Sequence, residues 1–249
     1  MTRIGLVTPV WNDSTRLEAF GFPLAEALKN SGLSIKWLVS DDGSPEKEKA
    51  RLKVLVARLA KVHPEIDLVL CNTRSRKGGA VYQGWDACED ADYLAFVDAD
   101  GAIDADSTIN LIEKALSLGT EAAVIGIRQG DTNEEVTRSL SRALSFRVFR
   151  WAVNSLLQVD FTDSQCGIKV IPGSTYRELR SRLSETGLAF DVELLLALRG
   201  HGVNLHEFPI RWKEISGGKV NPFRDAWSML AALLRVRRRL KDNYYERIA

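Results

Sequence analysis

Two carboxylates one residue apart, Asp98 and Asp100, follow directly on the apolar run Tyr93-Leu94-Ala95-Phe96-Val97. That run has the length and composition of a buried strand, so the pair stands just past a strand's carboxyl end. Oxygen donors placed there suit a hard divalent cation such as Mg²⁺. Such an ion takes one or two carboxylates and keeps positions open for substrate phosphates. Open α/β sheets bind ligands in the crevice beyond those strand ends. The same pair would also make a solvated acidic turn leading into a helix, with Asp104 or Asp106 as its cap. Two further clusters carry chemistry. Asp41-Asp42-Gly43-Ser44-Pro45 is an acidic turn signal. In Lys77-Gly78-Gly79 the glycines let backbone approach a ligand closely, and Lys77 is either a ligand contact or a solvated cation. Cys166, with no histidine near it in sequence, reads as a small packed residue rather than a nucleophile.

The elements that must position these groups alternate along the chain. Strands are expected at Ile4–Thr8, Ile35–Ser40, Ile66–Leu70, Tyr93–Val97 and Ala122–Ile127. Between them, helical spacing runs over Leu17–Asn30, Lys47–Val62, Gly79–Cys88 and Ser107–Ser117. Such β-α-β-α alternation predicts a mostly parallel sheet with helices on both faces. The second half differs. Val136–Leu157 reads as a long arginine-rich helix, Asp160–Lys169 as a polar segment, Phe190–Arg199 as a helix and Val203–Ile210 as a last strand. Asp191 and Glu193 fall in a helical first turn, where acids suit the helix dipole or serve a site.

Bulk properties narrow the class. The net charge is +1, from 34 basic and 33 acidic side chains, which argues against a nucleic-acid partner. Cys71, Cys88 and Cys166 lack zinc spacing and fit a reducing compartment. No Gly-x-Gly-x-x-Gly follows the first strand, so a dinucleotide dehydrogenase is disfavoured. Met1 leads straight into a strand, and neither a signal peptide nor a membrane-spanning run is expected. From Arg224 to Ala249 the net charge is +4. Apolar residues recur there at helical spacing, Met229, Leu233 and Val236 among them. A basic amphipathic helix of this kind can lie among lipid headgroups, with those three side chains at the acyl boundary. Packing against its own domain or a partner is the other reading.

Taken in order, the motifs resemble those of family 2 glycosyltransferases. Thr8-Pro9-Val10-Trp11-Asn12-Asp13 is similar to their Pro-x-Tyr-Asn-Glu opening, with Trp11 for tyrosine and Asp13 for glutamate. Asp41-Asp42-Gly43-Ser44 matches their second-strand motif. Asn72 with Lys77-Gly78-Gly79-Ala80 and Gly84 resembles N-x-G-x-x-x-A, and Asp98-Ala99-Asp100 their D-x-D. Asp163-Ser164-Gln165-Cys166-Gly167-Ile168-Lys169, Ala189 to Leu195 and Glu207 to Trp212 narrow the likeness to polyprenyl-phosphate sugar transferases. These are the dolichyl-phosphate mannosyl- and glucosyltransferase-like enzymes. Ser216-Gly217-Gly218-Lys219 departs from the glucosyl branch's Gly-Ser-Lys.

The resemblance implies a GT-A-like α/β fold over residues 1–222 and an amphipathic extension over 223–249. It implies an inverting transferase moving a hexose from a UDP- or GDP-sugar to a polyprenyl or dolichyl phosphate, with Mg²⁺ or Mn²⁺. Pro9, Trp11, Asp13 and Asp42 would meet the nucleotide base. Lys77, Gly78, Asp98, Gln165 and Lys169 would meet ribose, diphosphate and sugar, and Asp98 and Asp100 the metal. Asp163 would orient the acceptor or act as base. Arg138, Arg211, Ser216 and Lys219 would hold the acceptor. The expected location is peripheral, on the cytoplasmic face of a membrane. A saccharide hydroxyl acceptor is one alternative, and a catalytically silent nucleotide-sugar-binding scaffold is another.

Overall fold

Strand β1 (Arg3–Val10) sits mid-sheet because nearly every residue in it is buried, with Leu6 and Val7 fully so. A strand covered on both faces reads as a continuous apolar run. The computed structural model describes residues 1–129, 153–215 and 222–246. After β1 come α1 (Ser14–Asn30), β2 (Ser34–Asp41), α2 (Glu46–Leu59), β3 (Ile66–Leu70), α3 (Arg76–Asp86), β4 (Tyr93–Val97), α4 (Ala105–Leu118) and β5 (Ala122–Gln129). The second half supplies β6 (Ile168–Pro172), α5 (Gly173–Leu179), α6 (Phe190–Gly200), β7 (Asn204–Arg211) and α7 (Pro222–Lys241).

Seven strands form one sheet in the order β3-β2-β1-β4-β6-β5-β7. β6 is the antiparallel member, pairing Val97 with Ile168 and Phe96 with Lys169. The reversal has a consequence for the site. The carboxyl ends of β1, β2, β3, β4, β5 and β7 lie at one edge, and β6 begins at that same edge. The residues before β6 therefore join those after the other strands. A mostly parallel α/β sheet flanked by helices is the fold expected from the alternation.

Packing follows the period of each element. In α1, Leu17, Phe20, Leu24 and Leu28 face the core that also holds Trp37, Leu52 and Leu59. The indole of Trp37 donates to Thr8 Oγ1 at 2.9 Å, so its one polar atom is satisfied inside. On the other face, Trp85, Tyr82, Tyr176, Phe96 and Phe190 form an aromatic cluster under α3 and α6.

Three expectations need correction. The Asp160–Lys169 segment ends inside β6, whose five residues are all buried. Its alternate polar residue, Lys169, masked the strand pattern. α3 begins at Arg76, so Lys77, Gly78 and Gly79 form a helical first turn rather than a loop before one. The apolar face of α7 is turned inward, since Leu233 and Val236 are buried with Val192, Leu195 and Leu196 of α6. Those two side chains are not available to an acyl boundary. Most of the helix expected at Val136–Leu157 lies outside the described residues, which resume as helix at 153–157.

Gly84 shows how closely α3 rides on β1. A Cβ at Gly84 would stand 2.6 Å from Val7 Cγ2. Alanine would gain about 1 kcal/mol of helix propensity, but overpacking a closed core costs about 1–3 kcal/mol. Gly84→Ala is expected to destabilise the domain by up to about 2 kcal/mol, read as a lower denaturation midpoint at unchanged slope. A midpoint that rises would refute this packing.

Candidate active site

Asp98 is the first residue past β4, and its amide donates to the Gly167 carbonyl at 2.9 Å. Its carboxylate meets Lys77 Nζ at 2.7 Å through one oxygen and at 3.0 Å through the other. Burial opposes the Lys77 charge, but Asp98 and Asp191 outweigh it and hold the ammonium above its ordinary pKa. One Asp100 oxygen accepts from the Ala102 amide at 3.0 Å. The other lies 4.0 Å from Arg16 Nη1. Burial first, then the neighbouring Asp98 charge, raise the Asp100 pKa. A cation between the two would relieve both effects. The donor set is hard oxygen and each carboxylate keeps lone pairs unused, which fits Mg²⁺ or Mn²⁺ completed by water and substrate phosphate.

The residues expected to meet a base lie at the carboxyl ends of β1 and β2. Pro9 lies within β1, paired with Ser40 of β2, and is half-buried. Asp41 accepts from the Ser44 amide at 3.1 Å and is the turn residue anticipated. Asp42 is buried and accepts from Ser75 N at 2.6 Å and Ser75 Oγ at 3.1 Å. Burial raises its pKa, against those hydrogen bonds. The guanidinium of Arg74 stacks on Trp11, its carbon 3.4 Å from the ring centroid, and its Nε lies 3.6 Å from Asp42. A planar group stacked on Trp11 and facing Asp42 is the geometry a base would take. Asp13 does not face that slot alone, because Arg16 Nε donates to it at 2.8 Å and Nη2 donates as well.

Ahead of β6, Asp163 is buried and gripped at two points by Arg128: Nε at 2.6 Å and Nη2 at 2.7 Å. Such forked pairs fix orientation as well as charge. The same guanidinium lies 5.5 Å from the Trp212 ring centroid. Gln165 donates to the Leu188 carbonyl at 3.2 Å.

Several expected contacts are placed differently. Lys169 is fully buried and bonds Asp191 at 2.5 Å and the Cys166 carbonyl at 3.0 Å, so it supports the 163–167 turn rather than facing a donor. Arg211 pairs with Asp104 at 3.0 Å and Asp106 at 3.1 Å, at the start of α4. Asp104 also caps that helix, accepting from Ser107 N at 2.6 Å. Gly78 meets protein rather than ligand. Its amide donates to the Thr186 carbonyl at 2.8 Å, and a Cβ there would collide with Phe190. Arg138, Ser216 and Lys219 lie outside the described residues. Cys166 is buried and its thiol is pushed up to about 12, chiefly by burial, which removes it as a nucleophile.

Arg16, Arg74 and Arg128 were not singled out in the sequence. Arg16 was within reach, three residues after Asp13 on a helix. Arg128 also carried a signal, one residue past the expected end of β5.

The family described as Glycosyl transferase family 2 matches residues 6–178. A dolichyl-phosphate beta-glucosyltransferase of Drosophila melanogaster is 30% identical over 91% of this chain and 71% of its own. That of Dictyostelium discoideum is 27% identical over 94% and 73%. Among solved structures, glucosyl-3-phosphoglycerate synthase from Mycobacterium tuberculosis, in complex with Mn²⁺, UDP-glucose and phosphoglyceric acid, superposes with TM-score 0.66. It is 14% identical, and the match covers all of this chain and 82% of that one. At that identity the likeness speaks for the fold alone.

The Arg128–Asp163 fork sets a double-mutant cycle. Arg128→Gln strands a buried carboxylate, and losing one partner of such a pair costs about 3–5 kcal/mol when both are deep. Arg128 keeps some solvent contact, so about 2–3 kcal/mol is expected here. Asp163→Asn should cost less, and the double variant less than the sum by about 1 kcal/mol or more. Strict additivity in urea denaturation would show that the fork carries no coupling.

Proposed function

The chain belongs to glycosyl transferase family 2, and on that premise we propose that it transfers a hexose from a nucleotide-diphosphate sugar to a polyprenyl phosphate of the dolichyl type. One observation carries the reading. The Asp98-Ala99-Asp100 pair stands at the strand-end edge with Lys77 on Asp98, and the Trp11–Asp42 slot follows the neighbouring strands β1 and β2 at the same edge. Relatives named dolichyl-phosphate beta-glucosyltransferases align over most of the chain, which favours a lipid phosphate over a saccharide hydroxyl. UDP-glucose is the first donor to test.

The residues divide the work. Trp11 would offer its face to the base and Asp42 would accept from a ring N–H once Arg74 swings off the ring, and Asp13 lies beyond the same strand end. Asp98 and Asp100 would hold Mg²⁺ or Mn²⁺, which when bound neutralises charge on the leaving diphosphate. Lys77 adds a fixed cation beside it. The acceptor's phosphate oxygen attacks the anomeric carbon as the bond to the diphosphate breaks, with inversion. A phosphomonoester has its second pKa at about 6, so the nucleophile is already ionised near neutral pH. No strong base is needed. Asp163, fixed at two points by Arg128, then orients the acceptor side, with Trp212 and Gln165 near it.

Among the described residues, no helix is long and apolar enough to cross a membrane. A lipid acceptor still demands contact with a bilayer. The outward face of α7 fits anionic headgroups. Leu230 is 37% and Leu234 50% exposed, with Arg238 and Lys241 beyond them at helical spacing and Arg237 half-buried beside them. Basic residues near such a surface contribute about 1 kcal/mol each.

Three outcomes test this. Asp100→Asn should lower transfer from UDP-glucose by about 100-fold or more, since a charged oxygen is lost from a site worth several kcal/mol. It should also erase the extra thermal shift that Mn²⁺ gives with UDP. Full activity of this variant in EDTA would remove the metal role. The wild-type rate should rise with pH to a plateau just above about 6, as the acceptor's second proton leaves. A rate still climbing well above that would indicate a hydroxyl acceptor. Reversing charge at Arg238 and Lys241 should weaken flotation with anionic liposomes by about 2 kcal/mol or more, less at high salt. Flotation indifferent to both would exclude docking by this face.

A further inference from the structure

We propose that α7 is a positioning element of the transfer site, acting through Arg235 and Arg239. Its cations hold two buried acids that bracket the segment lying against the Lys77 turn. Glu193 is fully buried, yet it accepts from Arg239 at 2.5 Å, Tyr245 Oη at 2.8 Å, Ser184 N at 2.8 Å and Glu185 N at 2.7 Å. Glu185 is buried too, and takes Arg235 at 2.9 Å and 2.7 Å and Arg239 at 3.3 Å.

What lies between those acids reaches the site. The Thr186 carbonyl accepts from Gly78 N at 2.8 Å and Gly79 N at 3.3 Å. These are the amides next to Lys77, whose ammonium rests on Asp98. The Leu188 carbonyl holds Gln165, and Asp191 holds the Lys169 that braces the 163–167 turn. A path of polar contacts, joined by the backbone of residues 185–193, thus runs from the carboxyl-terminal helix to both halves of the crevice.

The physics gives the chain a direction. Without its cation, the Glu193 carboxylate keeps only Tyr245 Oη and the Ser184 and Glu185 amides, and its buried charge is no longer neutralised. Without Arg239, Glu193 would draw water or move outward and take residues 184–189 with it. The Thr186 carbonyl would then leave Gly78, and the first turn of α3 would loosen around Lys77. The loss falls on the donor side, because Lys77 and Gly78 are there.

This inference rests on the proposed function only in treating the Lys77–Asp98 crevice as the donor site. Amide exchange by NMR on the full chain tests it without reference to activity. In Arg239→Gln, protection at Gly78 and Gly79 should fall by about tenfold or more, the scale of coupling along such networks. Protection in β1 and β4 should not change. The KM for UDP-glucose should rise several-fold and the acceptor KM by less, since Leu188 also holds Gln165, and Arg239→Lys should restore most of the protection and of the donor KM. Arg235→Gln, at a half-exposed side chain, is the milder variant and should show the same pattern in smaller measure. Unchanged exchange at Gly78 and Gly79 in both variants would overturn the proposal. So would an equal loss of protection through β1 and β4, which would reduce α7 to a general stabiliser. A chain without transferase activity would still give the exchange result, so the two readings fail separately.

Discussion

A carboxylate taken out of water must find a cation or several N–H donors, and the strand-end edge of this protein is organised by that requirement. Asp98 meets Lys77, Asp163 meets Arg128, Asp191 meets Lys169 and Asp13 meets Arg16. Each cation comes from a different element from its acid, except for Arg16 in the turn after Asp13. The pairs therefore tie α3 to β4, β5 to the turn before β6, and β6 to α6. An isolated buried charge costs far more than any single apolar contact returns. Displacing one element would strand a charge elsewhere.

The choice between arginine and lysine tracks the geometry. Arg128 binds both oxygens of Asp163 in a planar fork, and a lysine could reach only one at a time. Lys169 works in a fully buried place where a compact ammonium reaches a carboxylate and a carbonyl together. Arg74 uses a third property, its flat face. Stacked on Trp11, it shows that the ring accepts a planar delocalised group in front of Asp42. That is the stereochemical demand of a nucleotide base.

The second half of the chain supports the first through α6. Its inner residues Leu194, Ala197 and Leu198 join the aromatic core, while Val192, Leu195 and Leu196 meet α7. A helix apolar nearly all round is a buried one. Asp191 and Glu193 on this helix are therefore not solvated first-turn acids. Each is enclosed and each has its own cation, one toward the crevice and one toward the carboxyl-terminal helix.

Much of this was legible in the residues. The β-α alternation, the placement of Asp98 and Asp100 past a strand, and the turn role of Asp41 all follow from local pattern. Apolar period and strand-end position are short-range properties. Pairing across distance was not legible. Lys169 belongs to a motif that resembles a donor contact, but an antiparallel β6 turns it into the core, where Asp191 waits 22 residues on. Arg211 ends the last strand, where a ligand-binding residue would stand, yet Asp104 and Asp106 at the start of α4 claim it. The helical period of α7 announced one apolar face without saying what it covers. Burial against α6 decided that, because Val192 and its neighbours needed covering and lie within reach. Sequence periodicity states that a face must leave water. Only the tertiary arrangement states where it goes, since the partner's position depends on every strand between them.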